Sequence, residues 1–252
     1  MSWASRRRLV YVTMALTIVL AALAFIAYAI FYEAPTCFDG AQNGDEAGVD
    51  CGGTCERICS FSAAPIEVLF SRSIPLAGNL YSAVAVLENP NARAIARNVE
   101  YTIKMRDAEG LLVAEEVGQI DIPAQREIPL FVHTIDTGLR TPIRTDLEIT
   151  STPVWERVDS APRMPRVAVE SLAGNRVTAV VTNPYLVPLT DLTFVAFVRD
   201  TNGTVIAASQ SKLTYLDAEA NETIVFTWPT ALDLSAVSAD VIVRTPLSWD
   251  VE

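Results

Sequence analysis

The sequence predicts a mainly β chain: two tandem immunoglobulin-like β-sandwiches carried behind a transmembrane helix and a short disulfide-rich segment. Three observations predict it. A 24-residue stretch without formal charge lies near the N-terminus, all four cysteines fall in the 23 positions 37–59, and the chain past Cys59 repeats itself at an offset of 93 to 96. The implied boundaries are a cytoplasmic tip at 1–8, a membrane helix at 9–32 and a cysteine-rich stalk at 33–61. A first sandwich follows at 62–157, a linker at 158–166 and a second sandwich at 167–252.

The uncharged run is Leu9 to Tyr32. As a helix it reaches about 36 Å, enough to cross a hydrocarbon core of about 30 Å with some tilt. Arg6, Arg7 and Arg8 precede it and acids follow it, so the positive-inside rule puts the N-terminus in the cytoplasm and the remainder outside, in the periplasm or at the cell surface. A cleaved signal peptide is the rival. "AYA" at 27–29 has the small residues of a cleavage site, but the apolar run before it is longer than the usual 7–15 residues and continues past it. With Arg6, Arg7 and Arg8 set aside, 16 basic residues face 30 acids, a balance of −14. Such a surface repels phosphate backbones, which argues against nucleic acid as a partner.

Cys37, Cys51, Cys55 and Cys59 are spaced C-x13-C-x3-C-x3-C. Zinc sites commonly pair cysteines two to four apart, so the last three loosely qualify. Outside a membrane, however, thiols are oxidised, and so short a segment needs staples in place of a core. Two disulfides are expected, with three connectivities open. Among the cysteines lie Asp39, Asn43, Asp45, Glu46 and Asp50. They either cap the turns that the interspersed glycines make, or gather their oxygens around a calcium ion. The spacing is not that of an EF-hand loop.

The string Cys-x-Asp-Gly-x-x-Asn-x-x-Glu-x-Gly-Val-Asp-Cys-Gly-Gly-x-Cys over Cys37–Cys55 resembles a cysteine module of surface proteins from uncultivated small-genome bacteria. In those proteins the module tends to follow a membrane span, so the resemblance implies a surface-anchored protein.

The repeat pairs "LAGN" 76–79 with 172–175, "ENP" 88–90 with "TNP" 182–184, Asp107 and Gly110 with Asp200 and Gly203, and Phe131 with Phe226. It also pairs Pro153 and Trp155 with Pro246 and Trp249. Several matches in order at nearly one offset indicate a duplication of a unit of small-sandwich size. Val99, Tyr101, Ile103 and Met105 alternate with Glu100, Thr102, Lys104 and Arg106, one buried face and one wet face of a strand. "RDAEGLLV" and "RDTNGTVI" read as hairpins, and the proline-bearing "SAPRMPR" at 160–166 as the linker. Trp155 and Trp249 are expected to close the two cores. The arrangement resembles the FxLYD-type sandwich modules of bacterial envelope proteins, in which a strand ends in Asp before a Gly hairpin. Only that Asp, at 107 and 200, is kept here.

Chemistry is sparse. His133 is the one histidine, and Asp136 three residues on would point to the opposite face of a strand. No nucleophile elbow, P-loop or metalloprotease signature occurs, and Ser209 and Ser211 have no histidine in their own module, so no enzyme is expected. One difference between the copies suggests a partner. The wet face Glu100, Thr102, Lys104, Arg106 becomes Thr193, Val195, Phe197, Arg199 in the second copy. Val195 and Phe197 are therefore either covered by the linker, a loop or the first module, or form a docking surface. Read together, the residues describe a membrane-anchored extracytoplasmic protein that presents two sandwiches to an unidentified protein or envelope partner. The alternatives are a structural spacer and an accessory subunit of a secretion or pilus-type machine.

Overall fold

The structure is a computed structural model that describes residues 3–32, 34–229, 231–232 and 238–247. An α-helix, α1 (Trp3–Phe31), holds the uncharged run. Its 29 residues give about 44 Å of helix, and its apolar stretch is long enough to cross a membrane. Polar side chains within it bond back to its own backbone. The Thr13 hydroxyl donates to Val10 O at 3.0 Å, and that of Thr17 to Met14 O at 2.9 Å. Neither hydroxyl is left unmet on the helix surface.

Past the helix the chain is β-rich. In the first sandwich one sheet is ordered β2 (Glu67–Ala77), β3 (Leu80–Glu88), β6 (Glu127–Asp136). The facing sheet runs β1 (Arg57–Ile58), β8 (Trp155–Arg157), β4 (Ala94–Arg106), β5 (Leu112–Ile122), and β7 (Arg144–Ile149) also pairs with β4. Alternation decides what lies between the sheets. Val99, Tyr101, Ile103 and Met105 of β4 are buried there with Ala83, Ala85 and Leu87 of β3, and Trp155 closes the layer. Because β1 is a strand of this sheet, the boundary expected at 61/62 moves: the cysteine segment ends inside the first sandwich.

The second sandwich packs β9 (Arg166–Ala173), β10 (Arg176–Thr182) and β13 (Asn221–Thr227) against a sheet of β11 (Leu189–Arg199), β12 (Val205–Leu216) and β14 (Ser238–Arg244). Trp249, expected to close this core, lies outside the described residues. Trp228 is buried in it.

The duplication repeats down to single hydrogen bonds. Asp107 N donates to Leu111 O and Asp200 N to Thr204 O, at 3.0 and 2.9 Å. Gly110 and Gly203 sit at φ +80° and +78°, the left-handed conformation this hairpin needs. Buried Asn89 and Asn183 both hold neighbouring carbonyls through Nδ2. Asn98 and Asp191, 93 apart, share a positive φ. One expected match fails. With Asn89 set on Asn183, Leu87 and Val181 correspond, and the ladders then place Phe131 opposite Val84 but Phe226 opposite Val177. Phe226 points into its core while Phe131 points out of its own. A one-residue slip flips a strand's faces, so Phe131 corresponds to Val225.

The outward face of β2, β3 and β6 meets the outward face of β11, β12 and β14. Ile74, Val84, Val86, Val195, Phe197, Val205 and Ala208 form a third buried cluster there, flanked by Phe70, Phe131 and Ile242. The four sheets are thus stacked in sequence, with three apolar layers between them.

Candidate functional site

Cys37 bonds to Cys55 and Cys51 to Cys59, which leaves no free cysteine among the described residues. The two bridges interlock along the chain and settle which of the three connectivities forms. Cys55 and Cys59 are buried, so the sulfurs serve as the core of a segment too short to build another. The segment is fixed to the first sandwich at more than one place. β1 pairs with β8, and the Arg157 guanidinium donates to Gly53 O at 3.0 Å.

The acids expected to gather round calcium instead hold backbone amides. Asp39 accepts from Thr36 N at 3.1 Å and Ala41 N at 2.9 Å, and takes a third bond from the Asn43 amide. Those donors, Asn43 first, hold the Asp39 carboxyl below its usual range. Asp50 accepts from Gly40 N at 3.0 Å. Glu46 accepts from Asn43 N and Asp50 N, both at 3.3 Å, and Asp45 faces the Thr54 hydroxyl at 3.5 Å. Among the described residues the one group of three candidate metal-ligand atoms is Cys37, Glu46 and Cys55, whose sulfurs are tied up in a disulfide. No three of the carboxylates among Asp39, Asp45, Glu46 and Asp50 converge among the described residues, and their oxygens cap the turns of the segment.

Glycines complete that logic. Gly53 lies at φ +55°, and a Cβ there would come within 2.0 Å of Asp45 O. Gly48 faces the Cys51 and Cys59 sulfurs, where a Cβ would sit 3.0 and 3.1 Å away. The string that defines the module is thus a set of turn-forming and close-packing positions.

His133 is exposed and meets the Phe131 ring edge-on at 4.6 Å. Asp136 is engaged elsewhere, with the Asn79 amide and with Gly138 N at 2.8 Å. No histidine–carboxylate pair forms between them.

Val195 and Phe197, offered by the sequence as a possible docking surface, are both 0% exposed. The first sandwich covers them. Phe70 meets Phe197 edge-on at 5.6 Å between ring centroids, and the Arg199 guanidinium lies 5.4 Å from the centre of the Phe70 ring. Gln125, itself buried, fastens the rim of this contact. Its Nε2 donates to Val243 O at 2.8 Å, and its Oε1 accepts from Thr245 N and the Thr245 hydroxyl at 3.0 and 2.8 Å. Sequence reasoning missed the partners Phe70, Val84 and Val86. One signal was present: "SAVAVL" in β3 shows no polar alternation, the mark of a strand buried on both faces.

No protein-family model matches the chain, and no curated protein does. Among solved structures, red sea bream transglutaminase aligns at 13% identity over 73% of this chain and 29% of that one, with a TM-score of 0.24. A Bacteroides uniformis beta-glucuronidase aligns at 13% identity over 67% and 25%, with a TM-score of 0.23. This chain spans less than a third of either protein, and likeness this loose says nothing of its family or activity.

Proposed function

We propose that this chain is a membrane-anchored extracytoplasmic protein whose disulfide-locked segment holds two stacked sandwiches as a platform for binding another protein. Its N-terminal residues lie in the cytoplasm and everything after the helix lies outside. The observation that carries the reading is the order of parts: three arginines, an apolar helix long enough to span, and within six residues of its end a segment closed by two disulfides. Arginines before a span favour retention on the cytoplasmic side, and disulfides persist only in an oxidising compartment. A stiff spacer is the second reading, favoured by the Gln125 fastening and the apolar layer between the sandwiches.

Protease added to spheroplasts tests the anchor. The expected result is digestion or shedding of the part after the helix, with an N-terminal tag spared inside. A soluble mature chain that begins near Ile30 would overturn the anchored reading.

A further inference from the structure

Past the helix, exposed phenylalanine falls in one place. In the two sandwiches Phe194, Phe197 and Phe226 are buried, and Phe70 and Phe131 pack against the layer between them. Phe38 and Phe61 are 87% and 74% exposed, and both belong to the cysteine segment. Phe38 is held in place there, because its neighbour Cys37 is bonded to Cys55. It lines a groove of about 380 Å³ with Val154, itself 49% exposed, on the loop that leads into β8. A ring presented on so fixed a turn loses little freedom when something covers it.

The helix says what lies beside that ring. Trp3 and Tyr32, both exposed, stand at its two ends, and the residues between them span about 44 Å of helix. A bilayer with its headgroups is about 40–45 Å thick, and Trp and Tyr collect at its two faces. The Tyr32 ring stacks on that of Tyr28 at 4.7 Å between centroids, an aromatic collar at the outer end. Phe38 follows Tyr32 by six residues, and a fully extended chain of that length covers at most about 21 Å. The ring is therefore kept within reach of the outer headgroups.

Charge says which surface fits. Residues 33–61 hold six acids against the one base Arg57, a balance of −5. Beside Val154, Arg97 pairs with Glu156 at 3.1 Å, and Arg157 balances Asp159, so the sum does not change. That charge repels anionic lipid. Zwitterionic headgroups carry no net charge and present an ammonium outermost, so they meet these acids without the penalty. The Asp39 carboxylate next to the ring is turned back on Thr36 N, Ala41 N and the Asn43 amide, so it does not follow Phe38 toward lipid bare.

We propose that the cysteine segment rests on the membrane it is anchored to, with the Phe38 ring and Val154 seated among the headgroups of a zwitterionic leaflet. The contact gives the stack a second hold on the membrane and fixes how it leans, which a single point of attachment does not. The inference rests on the anchored reading.

The test uses the full chain in nanodiscs of zwitterionic phospholipid brominated near the headgroup end of its acyl chains, which quenches a nearby tryptophan. Phe38→Trp adds a reporter at an exposed position, so circular dichroism melting should match the parent chain. With the parent emission subtracted, the added emission should be quenched by brominated lipid and shifted to shorter wavelength. Val117→Trp is the control. Val117 is 71% exposed on β5, opposite Thr102 and six residues along β4 from Ala96, where β8 pairs. Its added emission should show neither change. In an anionic leaflet the quenching of Phe38→Trp should fall, and salt should restore it. Greater quenching there overturns the zwitterionic assignment. Phe38→Trp emission left unquenched while the parent's Trp3 is quenched overturns the seat and leaves the anchor standing. Equal quenching of Val117→Trp overturns it too, because the whole stack would then lie on the lipid. Parent emission untouched by brominated lipid, with the chain released from the discs, removes the anchor and the seat with it.

Discussion

Gly53 shows how much one residue decides in the cysteine segment. Its positive φ and the 2.0 Å approach to Asp45 O leave no room for a side chain. Gly53→Ala is expected to prevent native pairing, and disulfide mapping should then find bonds other than 37–55 and 51–59. Asp107 gives a second residue-level prediction. Burial works to raise its pKa, but the Arg140 guanidinium and the Leu111 amide outweigh burial, so the carboxyl is held below its usual range. With the folded pKa depressed, the unfolded chain binds more protons in acid. The stability Asp107 contributes is therefore full above about pH 4, near the unfolded pKa, and is lost as pH falls through the folded value. Arg140→Ala should raise the Asp107 pKa in an NMR titration and reduce that acid dependence. An unmoved titration would show that the ion pair does not set it. The acids were legible in the sequence as turn caps or ligands, but which role held depended on where backbone amides pointed, and spacing alone does not carry that.

At the scale of elements, β4 was readable because its apolar residues alternate: every odd residue from Val99 to Met105 is buried, although Thr102 of the outer face is buried as well. β11 shows where such reading stops. Its apolar outer residues identified a covered face, yet the cover came from β2, β3 and β6, about a hundred residues away in sequence. The clue was split between two strands, since β3 had to be read as buried on both faces at the same time. The Phe131–Phe226 match failed for a related reason, because a repeat offset that drifts by one residue cannot say which side of a strand a residue takes. Phe197→Lys tests the covered face. A charge placed in that layer should cost about 2–4 kcal/mol in urea unfolding. An unchanged midpoint would mean that the face is open to solvent.

Across the whole molecule, the stack uses opposite faces of the two copies, and its ends are not alike. The outer face of β4 and β7 is charged, with Lys104 bonded to Glu148 and Arg144 to Asp146. At the other end, the positions matching Val84, Val86 and Phe131 are Thr178, Val180 and Val225. The wide apolar face that joins the sandwiches is therefore not repeated outward, which limits end-to-end growth into fibres. The cysteine segment, sewn to the first sandwich by β1 and Arg157, carries this stack beyond the helix as one body. That coupling is the central claim, and a double-mutant cycle between Phe70 and Phe197 tests it most directly. With Phe70→Ala, Phe197→Ala and the pair measured by chemical unfolding, the account predicts a coupling energy of about 0.5–1.5 kcal/mol, as for contacting aromatic rings. Additive effects with no coupling would contradict it, because the two sandwiches would then not rest on each other.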